Sequence, residues 1–249
     1  MTPPLTFYDI PSTNPKNASS PNTWKVRYAL NYKGIPYRTV WVEYPEIESL
    51  CTRIGAPPTS VNDNGHPSYT LPVINDHSTG AVVSDSIKIA TYLDETYPTT
   101  PALFPAGSRA LQHAFQDAFA PVLSAWLHVG IAATCAHFHP HSEEYFRRTR
   151  EARFGMRLED VSPPGSARRA GHMKAMKEGL DMVNGWLEAN GPVMPYIMGN
   201  TVSYADLTLA SWLGWFKTNV PEEWETVATW HGGRWVACIE SLDNYAVVS

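Results

Sequence analysis

Three short stretches of the chain combine residue types and positions suited to handling a small charged ligand. The first is Ser19-Ser20-Pro21-Asn22-Thr23-Trp24. Serine followed by proline signals a helix start, with Ser20 as N-cap and Pro21 as first helical residue. A helix N-terminus presents unpaired N–H groups and a partial positive charge. It therefore stabilises a nearby anion, and a serine hydroxyl there can donate to the same anion. Ser20 is either a plain cap or a cap that also serves a ligand. The second stretch is Leu71-Pro72-Val73, a proline inside a strand pattern. Proline cannot donate to a ladder and belongs on an edge or at an interruption. A trans edge proline meets that need, whereas a cis Leu71–Pro72 peptide exposes the backbone of Val73 to a ligand. The third is Asp85-Ser86, at another helix start. Both residue types cap helices, yet together they also suit an α-amino acid end, the serine and N–H groups taking its carboxylate and Asp85 its ammonium.

Other clusters read more simply. His137, His139 and His141 alternate around Pro140, but they match no closed zinc pattern and no cysteine or carboxylate completes a set, so no metal is expected. Arg147, Arg148, Arg150 and Arg153 are balanced by Glu143, Glu144 and Glu151 and read as a solvated, ion-paired helix face. No G-x-S-x-G elbow, P-loop or dinucleotide-binding glycine fingerprint occurs.

Elements that place the three stretches follow from pattern. Leu5 to Ile10 reads as a strand, Asn22 to Lys33 as a helix stopped by Gly34, and Tyr37 to Glu43 as a second strand. Glu46 to Arg53 is a short helix and Gly55 to Ser68 a loop. Thr70 to Asn75 and Ala81 to Ser84 form a hairpin around Asp76 to Gly80, followed by a helix carrying Ile87, Ala90 and Leu93. Beyond a linker from Thr99 to Ser108 the chain reads as helix throughout. Ala110 to His137 is expected to kink at Pro121, and further helices cover Glu143 to Gly155, Ala167 to Ala189, Ser203 to Lys217 and Pro221 to Tyr245. Two domains are expected, α/β over residues 1–98 and all-α over residues 108–249.

Composition narrows the class. The 249 residues carry 19 Lys and Arg against 24 Asp and Glu, a net charge of −5, with no clustered basic face for nucleic acid. No run approaches the roughly 18 apolar residues of a membrane span, and the N-terminal residues show no secretory pattern. Three widely spaced cysteines fit a reducing compartment. The expectation is a cytoplasmic, soluble, mildly acidic globular protein that binds neither nucleic acid nor membrane.

The order β-α-β-α-β-β-α is that of thioredoxin, with Ser20-Pro21-Asn22-Thr23 where the redox C-x-x-C would stand. Hydroxyls in place of sulfurs remove the dithiol chemistry and leave the anion-stabilising helix end. The chain resembles a cytosolic glutathione transferase over essentially its whole length. The resemblance rests on S-P-x-x-W at 20–24, L-P-V at 71–73, D-S at 85–86 and the segment Tyr196 to Asp206, in which Ser203 and Asp206 are spaced as a reciprocal cap. Ser20-Pro21 followed by Trp24 to Leu30 is most similar to the fungal etherase-like (FuA) class and bacterial β-etherases. Asn22 replaces the family's frequent aromatic residue, so Ser19, Asn22 and Thr23 compete with Ser20 for the sulfur.

That resemblance implies glutathione as co-substrate, held by Ser20, Asn22, Val73, Asp85 and Ser86 beside cis-Pro72, with Ser20 activating the thiol. It implies a pocket for hydrophobic or aromatic small molecules walled by Trp24, Phe115, Phe119 and Leu123, and a possible homodimer. Three functions fit: an enzyme of detoxification that conjugates electrophiles or cleaves aryl ethers, a ligandin-type carrier of aromatic molecules, or a fold relative used for protein interaction. Keeping all of Ser20, Pro72, Val73, Asp85 and Ser86 disfavours the last.

Overall fold

The computed structural model describes residues 5–62, 64–191 and 194–248. The N-terminal Met-Thr-Pro-Pro and Ser249, at the outer bounds of the expected domains, lie outside the described residues. The first part of the chain runs β1 (Leu5–Asp9), α1 (Pro21–Lys33), β2 (Tyr37–Trp41), α2 (Ile47–Ile54), β3 (Ser60–Val61), β4 (Pro67–Ser68), β5 (Val73–Asp76), β6 (Ala81–Ser84) and α3 (Ser86–Thr96). Four strands form one sheet in the order β2-β1-β5-β6, with β1 parallel to β2 and antiparallel to β5, and β5 antiparallel to β6. The stretch expected to be pure loop instead contains the small separate pair β3–β4, Ser60 opposite Ser68.

Side-chain alternation along β1 assigns the two faces of the sheet. Leu5 and Phe7 join a core with Val26 and Leu30 of α1 and Ile89 and Leu93 of α3. Tyr8 and Ile10 point the other way and pack with Leu50 and Cys51 of α2. All five residues of β1 are buried, as a central strand covered on both faces requires. Beneath the first face, Arg27 of α1 donates to Asp9 at 2.6 Å, both side chains wholly buried. Arg27 also donates to the Tyr37 and Thr39 hydroxyls, tying α1 to β1 and β2.

The remainder is helical: α4 (Arg109–Phe119), α5 (Leu123–Ala136), α6 (Pro140–Phe154), α7 (Leu158–Val161), α8 (Ala167–Glu188), α9 (Tyr204–Asn219), α10 (Pro221–Val227) and α11 (Arg234–Ser241). A single 3-10 turn, Ala120–Val122, bears Pro121 and separates α4 from α5. Between α10 and α11, His231, Gly232 and Gly233 all adopt positive φ and break the last helical stretch. By length and composition the stretch Arg109–Ala136 could cross a membrane. Half of its apolar window is buried inside the protein, as in a core helix. There Trp126 and Val129 pack with Leu180 and Val183 of α8 and Leu209 and Leu213 of α9. The opposite face of α9 carries Leu207 and Ala210 into the core beneath α1, so one helix serves both halves of the molecule.

The start of α9 is fixed by Asp206. Its carboxylate accepts from Ser203 N at 2.9 Å, Ser203 Oγ at 2.7 Å and, across the preceding loop, Ile197 N at 2.8 Å. Ser203 and Asp206 form the reciprocal cap that their spacing predicts. Burial pushes the Asp206 carboxyl up to about 6, with the three donors pulling the other way. Asp206→Ala is expected to lower stability by about 0.5–2 kcal/mol at neutral pH. A raised native pKa means that the folded state takes up the proton first, so this stabilisation grows as pH falls towards the unfolded value. The deficit of the variant should therefore widen by roughly 1 kcal/mol between pH 7 and pH 5, read from paired denaturant titrations. A deficit that narrows over that interval would count against a buried, proton-binding carboxyl.

Candidate functional site

Sheet topology brings the three singled-out stretches to one edge. The C-terminal end of β1 feeds the loop that returns at the N-terminus of α1, where Ser20 stands. Tyr8 near that end pairs with Val73 at the start of β5, so Leu71 and Pro72 lie at the same edge. Val73 also pairs with Ser84 at the end of β6, which runs directly into Asp85 and Ser86 at the start of α3. The Leu71–Pro72 peptide is cis, and Asp85 holds a positive φ of 79°.

Each position supplies defined groups. Ser20 is the N-cap of α1, its Oγ accepting from Asn22 N at 3.2 Å, with Pro21 in the first turn. Capping uses an oxygen lone pair and leaves the hydroxyl proton free to donate, so the cap and ligand roles of Ser20 are compatible. Asp85 caps α3 through one oxygen, Oδ1, which accepts from Ile87 N and Lys88 N. Lys25, one turn into α1, donates to Asn22 Oδ1 at 2.9 Å. Burial pushes the Lys25 amine down to about 8, with Asp85 opposing the shift.

In front of Ser20 opens a cavity of about 490 Å³. Its floor is Ser19, Ser20, Pro21 and Asn22, and its walls come from Leu123, Leu127, His128 and Ile131 of α5, Phe146, Arg150 and Arg153 of α6, Trp212 and Trp215 of α9, and Tyr44. Thr23 is absent from this lining. It is fully buried and donates to Ser20 O at 3.0 Å, which leaves Ser19, Ser20 and Asn22 as the polar groups at the cavity floor. Ser19 Oγ and Trp212 Nε1 are buried without a hydrogen-bond partner. Trp215 can lie in the wall because α5 passes it at Gly130, where a β-carbon would come within 2.5 Å of the indole.

Charge in the cavity is one-sided. The Arg150 guanidinium lies 4.5 Å from the Phe146 ring centre and 5.5 Å from that of Tyr44. Burial pushes the Tyr44 phenol up to about 12, despite Arg150. His128 stacks on His172 at 4.7 Å, and burial first, then Arg153, holds His128 below its usual value. Arg150 and Arg153 are the permanently cationic groups of the lining. The cysteines supply no thiolate: burial raises Cys51, takes Cys135 to about 11 and Cys238 to about 12.

Several expected placements need correction. Val73 is wholly buried with a strand paired on either side, so its backbone faces the sheet and not a ligand. No hydrogen bond among the described residues uses the N–H or C=O of Leu71, the residue before the cis peptide. Phe115 and Phe119 stack on each other inside the helical core and contribute nothing to the cavity lining. Trp24 faces away from the cavity and donates to Ala18 O at 3.3 Å. Leu123 lines the cavity.

The arginine cluster also divides. Arg147 pairs with Glu143, Glu151 and Glu159 on the solvated side, whereas Phe146, Arg150, Arg153 and Phe154 line the cavity. Their spacing of four, seven and eight residues from Phe146 is a helical stripe that charge counting overlooks. Of the alternating histidines, His139 pairs with Glu43 at 2.8 Å. Among the described residues no group of three or more ligating side chains could hold a metal.

Comparison with known proteins gives a consistent result. Residues 19–96 match the family model of the glutathione S-transferase N-terminal domain, and residues 110–245 that of the C-terminal domain. The chain is 32% identical to the glutathione S-transferase-like protein ustS of Aspergillus flavus, over 97% of this chain and 92% of the relative. Among solved structures it is similar to the glutathione S-transferase CsGST63524 of Ceriporiopsis subvermispora in complex with glutathione. That match has 47% identity and a TM-score of 0.96 over 99% of each chain. Glutathione transferase GSTFuA3 of Phanerochaete chrysosporium matches with 43% identity and a TM-score of 0.94 over 100% of each chain.

Proposed function

The chain belongs to the glutathione S-transferase family, and from that premise we propose that it is a serine-type transferase joining the glutathione sulfur to hydrophobic or aromatic electrophiles. Residues 1–98 are the glutathione-binding domain in this reading, and residues 108–249 supply the electrophile pocket. The observation that carries it is Ser20. Its hydroxyl caps α1 through a lone pair, keeps its proton free, and stands on the floor of a cavity lined by aromatic and aliphatic side chains. Glutathione supplies the nucleophilic sulfur. The α1 N-terminus and the Ser20 hydroxyl favour its ionised form, and the unused N–H and C=O of Leu71 offer its extended backbone a two-point pairing. Asp85, through its second oxygen, and Ser86 hold the γ-glutamyl end.

An ordinary thiol near pKa 8.5 is only a few per cent ionised at neutral pH. Lowering it by about two units takes roughly 2.7 kcal/mol, within reach of a charge-assisted hydrogen bond and a helix dipole. Arg150 and Arg153 favour substrates that develop negative charge. In aryl ether cleavage the sulfur forms a bond to the ether carbon, the carbon–oxygen bond breaks, and the departing phenolate faces those guanidinium groups.

The same aromatic cavity also suits carriage of aromatic molecules. Purified protein with glutathione and both a chromogenic aryl halide and an aryl ether separates the readings. Conjugation or phenol release supports the enzyme, and tight binding of aromatic ligands without turnover supports the carrier.

A further inference from the structure

Beneath the cavity floor lies a buried cation that forms no ion pair among the described residues. Lys25 is 7% exposed and stands three residues after Asn22, on the same face of α1. Its Nζ lies 5.9 Å from the Trp212 ring centre and makes one hydrogen bond among the described residues, to Asn22 Oδ1 at 2.9 Å. Buried charges are ordinarily paired, so an ammonium kept on one neutral acceptor is unusual. At neutral pH Lys25 is charged, since burial lowers its amine only to about 8, and an ammonium donates but never accepts. The Asn22 amide atom turned to it is therefore the oxygen, and the Nδ2 hydrogens face the other way. No hydrogen bond among the described residues uses Asn22 Nδ2. Asn22 lines the cavity floor beside Ser20, to whose Oγ its backbone N–H donates.

We propose that Lys25 is a positioning residue: it holds the Asn22 amide with its N–H groups towards the glutathione sulfur, making Asn22 a second donor beside Ser20. The inference rests on the glutathione reading above. A hydrogen bond donated to the ionised sulfur favours that form, whereas a carbonyl oxygen turned to it disfavours it. A half-turn of one amide thus reverses the sign of its effect, and Lys25 decides the orientation. Released from Lys25, the amide samples both orientations and loses most of its benefit.

Ultraviolet titration of the thiolate in the full chain saturated with glutathione tests it, a readout that a merely structural lysine would not move. Lys25→Met keeps the stem against Trp212 and removes the donor. It should raise the apparent pKa of the bound thiol by roughly 0.5–1 unit, about three- to tenfold in the ionisation constant. Lys25→Arg, still a cation that only donates, should stay close to the wild type. Asn22→Leu should raise the value at least as far as Lys25→Met, and the double variant no further than Asn22→Leu alone. An unchanged value in Lys25→Met overturns the proposal. So does a Lys25→Met shift kept in full in the Asn22→Leu background, because the ammonium then acts by its own charge. A low wild-type value that Ser20→Ala raises and Lys25→Met leaves alone overturns this inference only. A wild-type value at that of an ordinary thiol overturns the serine-type reading and this inference with it. Thermal melts confirm folding. If Lys25→Met does not fold, Asn22→Asp carries the test. It replaces the outward N–H groups by an oxygen and should raise the thiol value by about one unit or more, and no change overturns the proposal.

Discussion

Ser20→Ala is expected to lower turnover by about 10- to 1,000-fold, equivalent to ~1.4–4 kcal/mol of barrier, while glutathione affinity changes far less. In the proposed role the hydroxyl favours the ionised sulfur, so its removal should act on the reactive form more than on binding. Ser19 and Asn22 share the cavity floor, and Ser19 Oγ is unpartnered, so the Ser19→Ala/Ser20→Ala double variant should fall further than the single one. Asp85→Ala is expected to show the opposite signature, with weakened glutathione binding as the primary defect. Steady-state kinetics beside calorimetric affinities distinguish the two. If Ser20→Ala loses affinity and turnover together, or only stability, its hydroxyl is an anchor or a cap and the activating role is wrong.

The largest stability effect is expected at Arg27. Arg27→Met leaves the Asp9 carboxylate buried without its counter-charge and should cost about 3–5 kcal/mol in denaturant unfolding. Burial already raises the Asp9 carboxyl above its usual range, with Arg27 pulling it back. The guanidinium also packs against the Phe7 ring at 5.0 Å and that of Trp41 at 5.5 Å, so its loss opens space in the core. Pairing Arg27→Met with Asp9→Asn should recover part of the loss, since the stranded charge is the dominant cost. A single-variant cost below about 1 kcal/mol would mean that the pair contributes little.

How much of this was legible in the sequence depended on how local the signal is. Helix α1 could be read almost to the residue, because Ser20-Pro21 starts it, Gly34 stops it in the left-handed region, and both signals are local chemistry. The reciprocal cap at Ser203 and Asp206 was equally local. What failed depended on neighbours distant in the chain. Val73 looked open to a ligand only until β1 and β6 flanked it. Phe115 turns into the helical core against Trp186, 71 residues further on, a contact to which sequence spacing gave no access. Arg150 and Arg153 were readable in principle. Charge balance with the glutamates suggested one solvated face, whereas helical spacing from Phe146 divides the arginines between solvent and cavity.

The central claim is that the N-terminus of α1, through Ser20, holds the sulfur of glutathione as a thiolate. Ultraviolet titration of the thiolate in the binary complex, with wild type and Ser20→Ala side by side, tests it without any electrophile. The wild-type complex should titrate about two units below the ordinary thiol value of roughly 8.5, and the Ser20→Ala complex should return most of the way towards it. Identical titration curves for the two complexes, or a wild-type curve at the ordinary thiol value, would contradict the account.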